Sequence, residues 1–289
     1  MRKLAGLLLG SFLLIGAVSI AAAQETTPPP KVLSILREFV KPGKAGAVHE
    51  KSESAFVQAM TRAKWPTHYL AVNSVTGKPR VLFLTGYDSF EAWEKDVMAE
   101  DKNATLSAAI EKANVADGEL LSEVDSSALV YSDEFSLRAA VDIPHMRYFE
   151  VSVYRVRPGH DHDWDTIVKM VKDAYETIPD VRWATYHTVY GQEGNTYVVF
   201  TPLKSAAEID QDSARSKKFM ANMGEDGMKK FGELLAAAIE FSQHNLFSFS
   251  PKMSYVSDEW IKADPDFWKP KASAAPTAKK SEEKPTDRQ

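Results

Sequence analysis

The sequence predicts an α+β fold: two tandem βαββαβ modules whose sheets face each other as an intrachain α+β barrel. Three observations predict it. The first is the stretch Phe149–Ile178. An apolar strand, Phe149–Val156, stops at Arg157-Pro158-Gly159. Then Trp164, Ile167, Val168, Val171, Ala174, Tyr175 and Ile178 recur at the 3.6-residue period of a helix burying one face. The second is that Val32–Leu36, then Val40-Lys41-Pro42-Gly43, then a helical pattern, repeats that unit earlier in the chain. The third is a near-constant register. Gly43 and Gly159, Trp65 and Trp183, Gly77 and Gly194, Phe83 and Phe200, and Leu129 and Leu246 lie 116 to 118 residues apart. Such a period is the mark of a duplicated module.

In chain order, residues 1–23 read as an export signal. Arg2 and Lys3 precede an apolar core, Leu4–Ile20, and Ala21-Ala22-Ala23 supplies small residues before a cut. That core is short for a spanning helix, which takes roughly 20 apolar residues. Residues 24–31 form a leader whose Pro28-Pro29-Pro30 favours an extended, unfolded spacer. The first module spans 32–131. Its helix runs from about Ala45 to Ala63 and is stopped by Pro66. A hairpin turning near Gly77 follows, then a helix capped by Asp88 or Ser89. A helical stretch over about Asn103–Glu123 precedes a last strand at Ala128–Tyr131. Residues 132–147 read as a linker. The second module, 148–249, repeats the order: a helix over Asp161–Ile178, a hairpin from Ala184 to Thr201, a helix over Glu225–Phe241 and a strand at Asn245–Phe249. Residues 250–268 read as an aromatic strap with Tyr255, Trp260, Phe267 and Trp268. The Lys-, Ala- and Pro-rich tail, 269–289, reads as disordered.

Composition narrows the function. The chain contains no cysteine, so an exported product has no disulfides and depends on a packed core. Hydrophobic residues make up 44 %, enough for such a core. The periplasm or the external medium is the expected compartment, with no membrane span left once the signal is removed. The formal net charge is −5, and it is concentrated in an acidic body because the signal and the tail are basic. That excludes a nucleic-acid partner, which needs clustered Lys and Arg. Phosphate-loop, Gly-x-Ser-x-Gly and His-Glu-x-x-His patterns are missing from the sequence.

Each module reads in the βαββαβ order of ferredoxin-like folds. Strand Phe149–Val156 carries apolar residues at both parities, so both of its faces need cover. Helices cover one face and the sheet of the other module covers the second. With Val40-Lys41-Pro42-Gly43-Lys44 and Val156-Arg157-Pro158-Gly159-His160 each opening a first helix, the chain resembles the dimeric α+β barrel superfamily. Members include antibiotic-biosynthesis-type monooxygenases, muconolactone isomerase-like proteins, chlorite dismutase-like enzymes and the NIPSNAP group. The resemblance implies a cavity inside the barrel, lined by a histidine in haem-binding members and by polar and aromatic residues in cofactor-free ones.

The candidate cavity residues are Trp65, His68, Tyr69, Tyr154, Trp183, Tyr186 and His187. His68-Tyr69 and Tyr186-His187 are assigned to the same part of each hairpin, where alternation turns one of each pair inward. His187 is the candidate catalytic residue. Glu150, Tyr154 and Arg155 are further cavity candidates, with Arg37 and Glu38 as rough counterparts, and each reads equally as a rim position or as part of an ordinary surface pair. His160-Asp161-His162-Asp163 reads as a solvated helix start rather than a metal site, because the two histidines are two residues apart. No metal and no cofactor is expected. The sequence favours an exported, non-catalytic protein that binds a small apolar or aromatic ligand or a partner, as monomer or homodimer. The alternatives are a cofactor-independent monooxygenase or isomerase and a haem-binding barrel. They differ in their observables: a Soret band in the purified protein supports haem, a proton-active group with a shifted pKa near an apolar pocket favours the enzyme, and a cavity filled by side chains leaves only the binding protein.

Overall fold

A computed structural model describes residues 26–269. The expected signal peptide and the Lys/Pro-rich tail beyond Lys269 lie outside the described residues. The first half contains β1 (Val32–Val40), α1 (Ala47–Ala63), β2 (Tyr69–Ser74), β3 (Arg80–Tyr87), α2 (Phe90–Lys102), α3 (Ala104–Gly118) and β4 (Leu121–Leu137). The second contains β5 (Tyr148–Val156), α4 (Asp161–Tyr175), β6 (Trp183–Tyr190), β7 (Asn195–Leu203), α5 (Asp212–Ala238) and β8 (Ile239–Phe249). Two short helices, α6 (Asp258–Ala263) and α7 (Pro265–Trp268), follow.

The eight strands close into one barrel in the order β1-β3-β2-β8-β5-β7-β6-β4, with every pairing antiparallel. Each half supplies four adjacent strands, and the seams are β2 with β8 and β4 with β6. The edges of each half are thereby paired, which removes the open edges a lone four-stranded sheet would present. Alternation decides what fills the interior. Leu33 and Ile35 of β1, Phe149 and Val151 of β5, Leu129 and Phe247 project inward as one buried cluster. Phe247 is 1 % exposed, and burying such a side chain contributes about 1.5–3 kcal/mol. Toward one end the interior turns polar, where Arg37 donates to Asp125 (2.7 Å) and Ser127 (2.8 Å). There Arg80 stacks over Phe39 and Phe247.

The helices form where the apolar stripe demands them, and side chains set their ends. Ser89, rather than Asp88, caps α2 by accepting from the Ala92 N–H, and Asn103 caps α3 through Leu106. The last strand of each half is longer than expected. Both β4 and β8 begin immediately after their helix, through polar residues that hide the strand period. β4 also runs into residues 132–137, so the expected linker begins as strand.

Strand pairing refines the correspondence between halves. Leu33 faces Leu129 as Phe149 faces Phe247, and Ile35 faces Leu84 as Val151 faces Phe200. Phe200 therefore corresponds to Leu84 and Phe247 to Leu129, one residue away from two of the landmarks read in sequence. Both halves carry an irregularity at the same place, between Phe39 and Val40 and between Arg155 and Val156. The hairpins differ. Val72 faces Leu82 where Tyr186 faces Val198, so the second hairpin is two residues longer. His68-Tyr69 and Tyr186-His187 are consequently not equivalent, which corrects the sequence assignment.

The leader and the strap pack on the barrel. Thr27 bridges to Val141, Pro30 lies against Gly86, and the Tyr186 hydroxyl donates to the Pro30 carbonyl (3.2 Å). The leader expected to be a loose spacer is, from Thr27 on, a docked segment. Tyr255 bridges to Tyr69, and Trp268, 2 % exposed, donates to the Pro144 carbonyl (2.8 Å). No helix among the described residues is long and apolar enough to cross a membrane.

Candidate functional site

The leader and the strap frame a cavity of about 510 Å³ at the mouth of the barrel. Its floor is the apolar interior at Leu33, Leu84, Phe149 and Phe200, and its walls include His68, Tyr186, Trp183 and Trp260. A largely apolar concavity with a few converging polar groups is the usual form of a small-molecule site. His68 directly follows the helix-to-strand turn before β2, and its ring stacks on Tyr255 at 4.7 Å and 20°. Burial pulls the His68 pKa below its ordinary value, against weaker opposing effects from the Pro66 backbone and the charges of Asp258 and Glu259. The imidazole is therefore neutral near pH 7 and able to accept a proton. Burial also raises the Tyr186 pKa, keeping its hydroxyl protonated.

The structure divides the residues picked from the sequence. His68, Tyr69, Trp183 and Tyr186 border the mouth cavity. Trp65 packs instead with Ala59 and Leu106 under α1 and α3, and its indole N–H donates to Asp96 (3.1 Å). Tyr154 faces α4, with Trp164 5.5 Å away between ring centroids. His187 lies on the opposite side of β6 from Tyr186. It bonds Asn195 (2.8 Å) and packs on Tyr197, away from the mouth. The strand period therefore takes the proposed catalytic role from His187, because inward-facing Tyr186 is its immediate neighbour. At the rim positions, Glu150 is close to Ser152 and His244, and Arg155 pairs with Glu193 and Glu240. Of His160-Asp161-His162-Asp163, His160 bonds Asp163 (2.7 Å) within the helix start.

A larger groove, about 820 Å³, separates α4 and α5 from the sheet of the second half. Both of its arginines are already paired, Arg182 with Glu208 and Arg215 with Asp212, and the rest of its charged wall is mostly acidic, so among the described residues it has no free cation for a ligand. We place the candidate active site at the mouth for that reason.

A second cluster was not read from the sequence. Glu38 on β1, His49 and Glu53 on α1, and Asp117 on α3 converge between the helices and the sheet of the first half, all buried. From His49 Nε2, the carboxylate oxygens of Glu38, Asp117 and Glu53 lie at 3.1, 3.5 and 3.6 Å. Glu38, read as a rim or surface residue, is thus an interior residue facing α1. Burial alone would lower the His49 pKa, but the neighbouring carboxylates of Asp117, Glu38 and Glu53 outweigh it and raise it to about 10. Burial first, then the charges of Glu38 and Asp117, pushes the Glu53 carboxyl up to about 9. The signal available in sequence was the pair His49 and Glu53, four apart on an otherwise apolar helix face. The other two members are distant in the chain, so the expectation of no metal-type cluster could not have been corrected without the fold.

No family model matches the chain, and no curated protein does. Solved structures of similar architecture are found. A provisionally assigned monooxygenase from Fusobacterium nucleatum is 12 % identical with a TM-score of 0.49, covering 76 % of this chain and 93 % of its own. An anthrone oxidase-like protein is 16 % identical with a TM-score of 0.49, covering 78 % and 94 %. A chlorite dismutase variant from Candidatus Nitrospira defluvii is 7 % identical with a TM-score of 0.46, covering 81 % and 95 %. Each is a likeness of architecture.

The reading as a non-catalytic binding protein is corrected. The cavity is open rather than filled, and a histidine of shifted pKa borders it. A haem does not suit this cavity. Among the described residues no Lys or Arg lines it to receive two propionates, and the one histidine in its wall is stacked on Tyr255.

Proposed function

We propose that this chain is a barrel-type enzyme that removes a proton from a small, largely aromatic substrate bound at the mouth. That step is common to cofactor-independent oxygenation and to isomerisation. The observation that carries the reading is His68, a neutral imidazole in the wall of an apolar cavity. Trp183, Phe200 and Trp260 offer faces for an aromatic ring. The Tyr186 hydroxyl, kept protonated, donates to the Pro30 carbonyl and becomes a donor for a developing oxyanion when it turns from that carbonyl to the substrate. His68 accepts the proton; in an isomerisation it returns it to another carbon. A substrate with an acidic C–H or phenolic O–H fits this site, and a strongly anionic one does not, since no Lys or Arg among the described residues lines the walls.

We also infer that the two halves arose by tandem duplication, supported by the common strand order and the shared irregularity. The amino-terminal pattern supports export to the periplasm or beyond. To test the catalytic reading, phenols and activated aromatic ketones are screened by quenching of tryptophan fluorescence. Binders are then followed for deuterium uptake from D2O and for oxygen consumption. His68→Gln should keep binding and lose turnover. Turnover unchanged in His68→Gln, or no ligand bound across the panel, refutes it.

A further inference from the structure

The quartet Glu38, His49, Glu53 and Asp117 has no place in the mouth chemistry, and its composition is costly. Three carboxylates and an imidazole are withdrawn from water, a penalty of several kcal/mol per ion unless charges and hydrogen bonds are matched. They are not matched. The hydrogen on one imidazole nitrogen serves one oxygen, and Glu38 has the closest at 3.1 Å. Glu53 Oε1 and both oxygens of Asp117 are buried with no hydrogen-bond partner, and each of these residues is 2 % exposed. The contacts of 3.5 and 3.6 Å to His49 are too long to count as hydrogen bonds.

The fold does not require polar residues there. Following the strand pairing, Glu38 corresponds to Tyr154 and Asp117 to Leu235. On the first helix of each half, the buried pair Trp164 and Val168 of α4 has the same four-residue spacing as the buried pair His49 and Glu53 of α1. In the second half this position is an apolar cluster of Trp164, Val168, Tyr154 and Leu235. The same architecture thus closes with aromatic and aliphatic side chains in one half, where the Trp164 indole N–H is the buried polar atom without a partner, and with four metal-type donors in the other.

We propose that Glu38, His49, Glu53 and Asp117 bind one divalent transition-metal ion. The spacing suits it. Donors about 2.1 Å from a central ion stand roughly 3.0–3.4 Å apart in octahedral or tetrahedral geometry. The four donor atoms lie within 4.8 Å of one another, and three of the distances are 3.1–3.6 Å. Imidazole with three carboxylates and no sulfur selects manganese, iron(II) or zinc over copper(I). A dication supplies the missing partner for Glu53 and Asp117. Tyr69, whose hydroxyl is also buried without a partner and feels the charges of Glu53 and Glu38, borders the site.

The test uses the full chain, stripped with chelator and titrated separately with Mn2+ and Zn2+. Stoichiometry is read by elemental analysis, and Mn2+ by its paramagnetic resonance spectrum. One ion per chain is expected, with a higher melting temperature than the stripped protein. Glu53→Gln and Asp117→Asn keep the side-chain shape and should weaken binding roughly 100-fold or more. Asp163→Asn, at the exposed helix start, should change nothing. Failure of the wild-type chain to hold either ion near one equivalent overturns the proposal and leaves a proton-sharing cluster. Loss of the ion in Asp163→Asn but not in Glu53→Gln would move the site to the helix start and overturn it equally.

Discussion

Replacing Trp268 by Ala tests whether the strap is part of the folded barrel. The indole is 2 % exposed, packs against Phe249, Trp260 and Phe267, and donates to the Pro144 carbonyl at 2.8 Å. Removing a buried Trp costs about 3–5 kcal/mol through lost transfer energy and the cavity left behind. The Pro144 carbonyl loses the shorter of its two hydrogen bonds and keeps the one from Arg147 (3.3 Å), a loss of at most about 1 kcal/mol. Around 4 kcal/mol for a domain of this size corresponds to a fall of roughly 8–16 °C in melting temperature. Trp268→Phe keeps most of the area and loses the N–H, so about 1–2 kcal/mol is expected. Thermal and urea unfolding, followed by circular dichroism, measure both. A loss below about 1 kcal/mol for Trp268→Ala, given the burial cost above, would show that the strap is not docked in solution and that the mouth lacks its Trp260 wall.

Other perturbations have equally direct readouts. Gly191 has φ +84°, and an added Cβ would run into the backbone of Ser126 and Ser127. Gly191→Ala should therefore lose more than about 2 kcal/mol by urea unfolding. At Gly77 (φ +80°) an added Cβ meets the Asn245 side chain, which can move, so Gly77→Ala should lose nearer 1 kcal/mol. Asp96 accepts from Trp65 (3.1 Å), Thr67 (2.6 Å) and Tyr87 (3.0 Å). Asp96→Ala leaves all three donors unserved and should lower stability by about 3 kcal/mol in the same assay. His187→Ala should lose about 1 kcal/mol and leave fluorescence-detected binding at the mouth unchanged. For His68 the sign is fixed by its role as a base. Its pKa is lowered by burial, so turnover should be flat near neutrality and fall only as pH drops below the ordinary histidine value. A profile that instead falls on going above neutral pH would exclude His68 as the base.

The barrel was legible because its evidence is periodic. The apolar step in α4, the turns at Pro42-Gly43 and Pro158-Gly159, and strands apolar at both parities all survive in a bare sequence. The polar ends of β4 and β8 were not legible. Residues such as Ser122, Glu123 and Asp125 have no strand-like composition, and pairing with β1 across the barrel decides their state. The hairpin correspondence failed because two added residues shift an alignment while leaving its landmarks nearly in place. His68 and Tyr186 reach the mouth for a geometrical reason, the inward turn of alternate positions leading into β2 and along β6. Tyr154 and His187 point away from it by that same alternation, and Trp65 lies in the loop before β2, under α1 and α3. Glu38 and Asp117 could not be associated from sequence, since only the packing of α1 and α3 on β1 brings them together.

The joining of both halves in one polypeptide has a further consequence. In an assembly of two identical chains, any change to one side is copied onto the other, so a buried polar nest would appear twice or not at all. A continuous chain breaks that symmetry. One side can keep an oily filling that secures the shape, while the other gives up part of its cohesion to house charge.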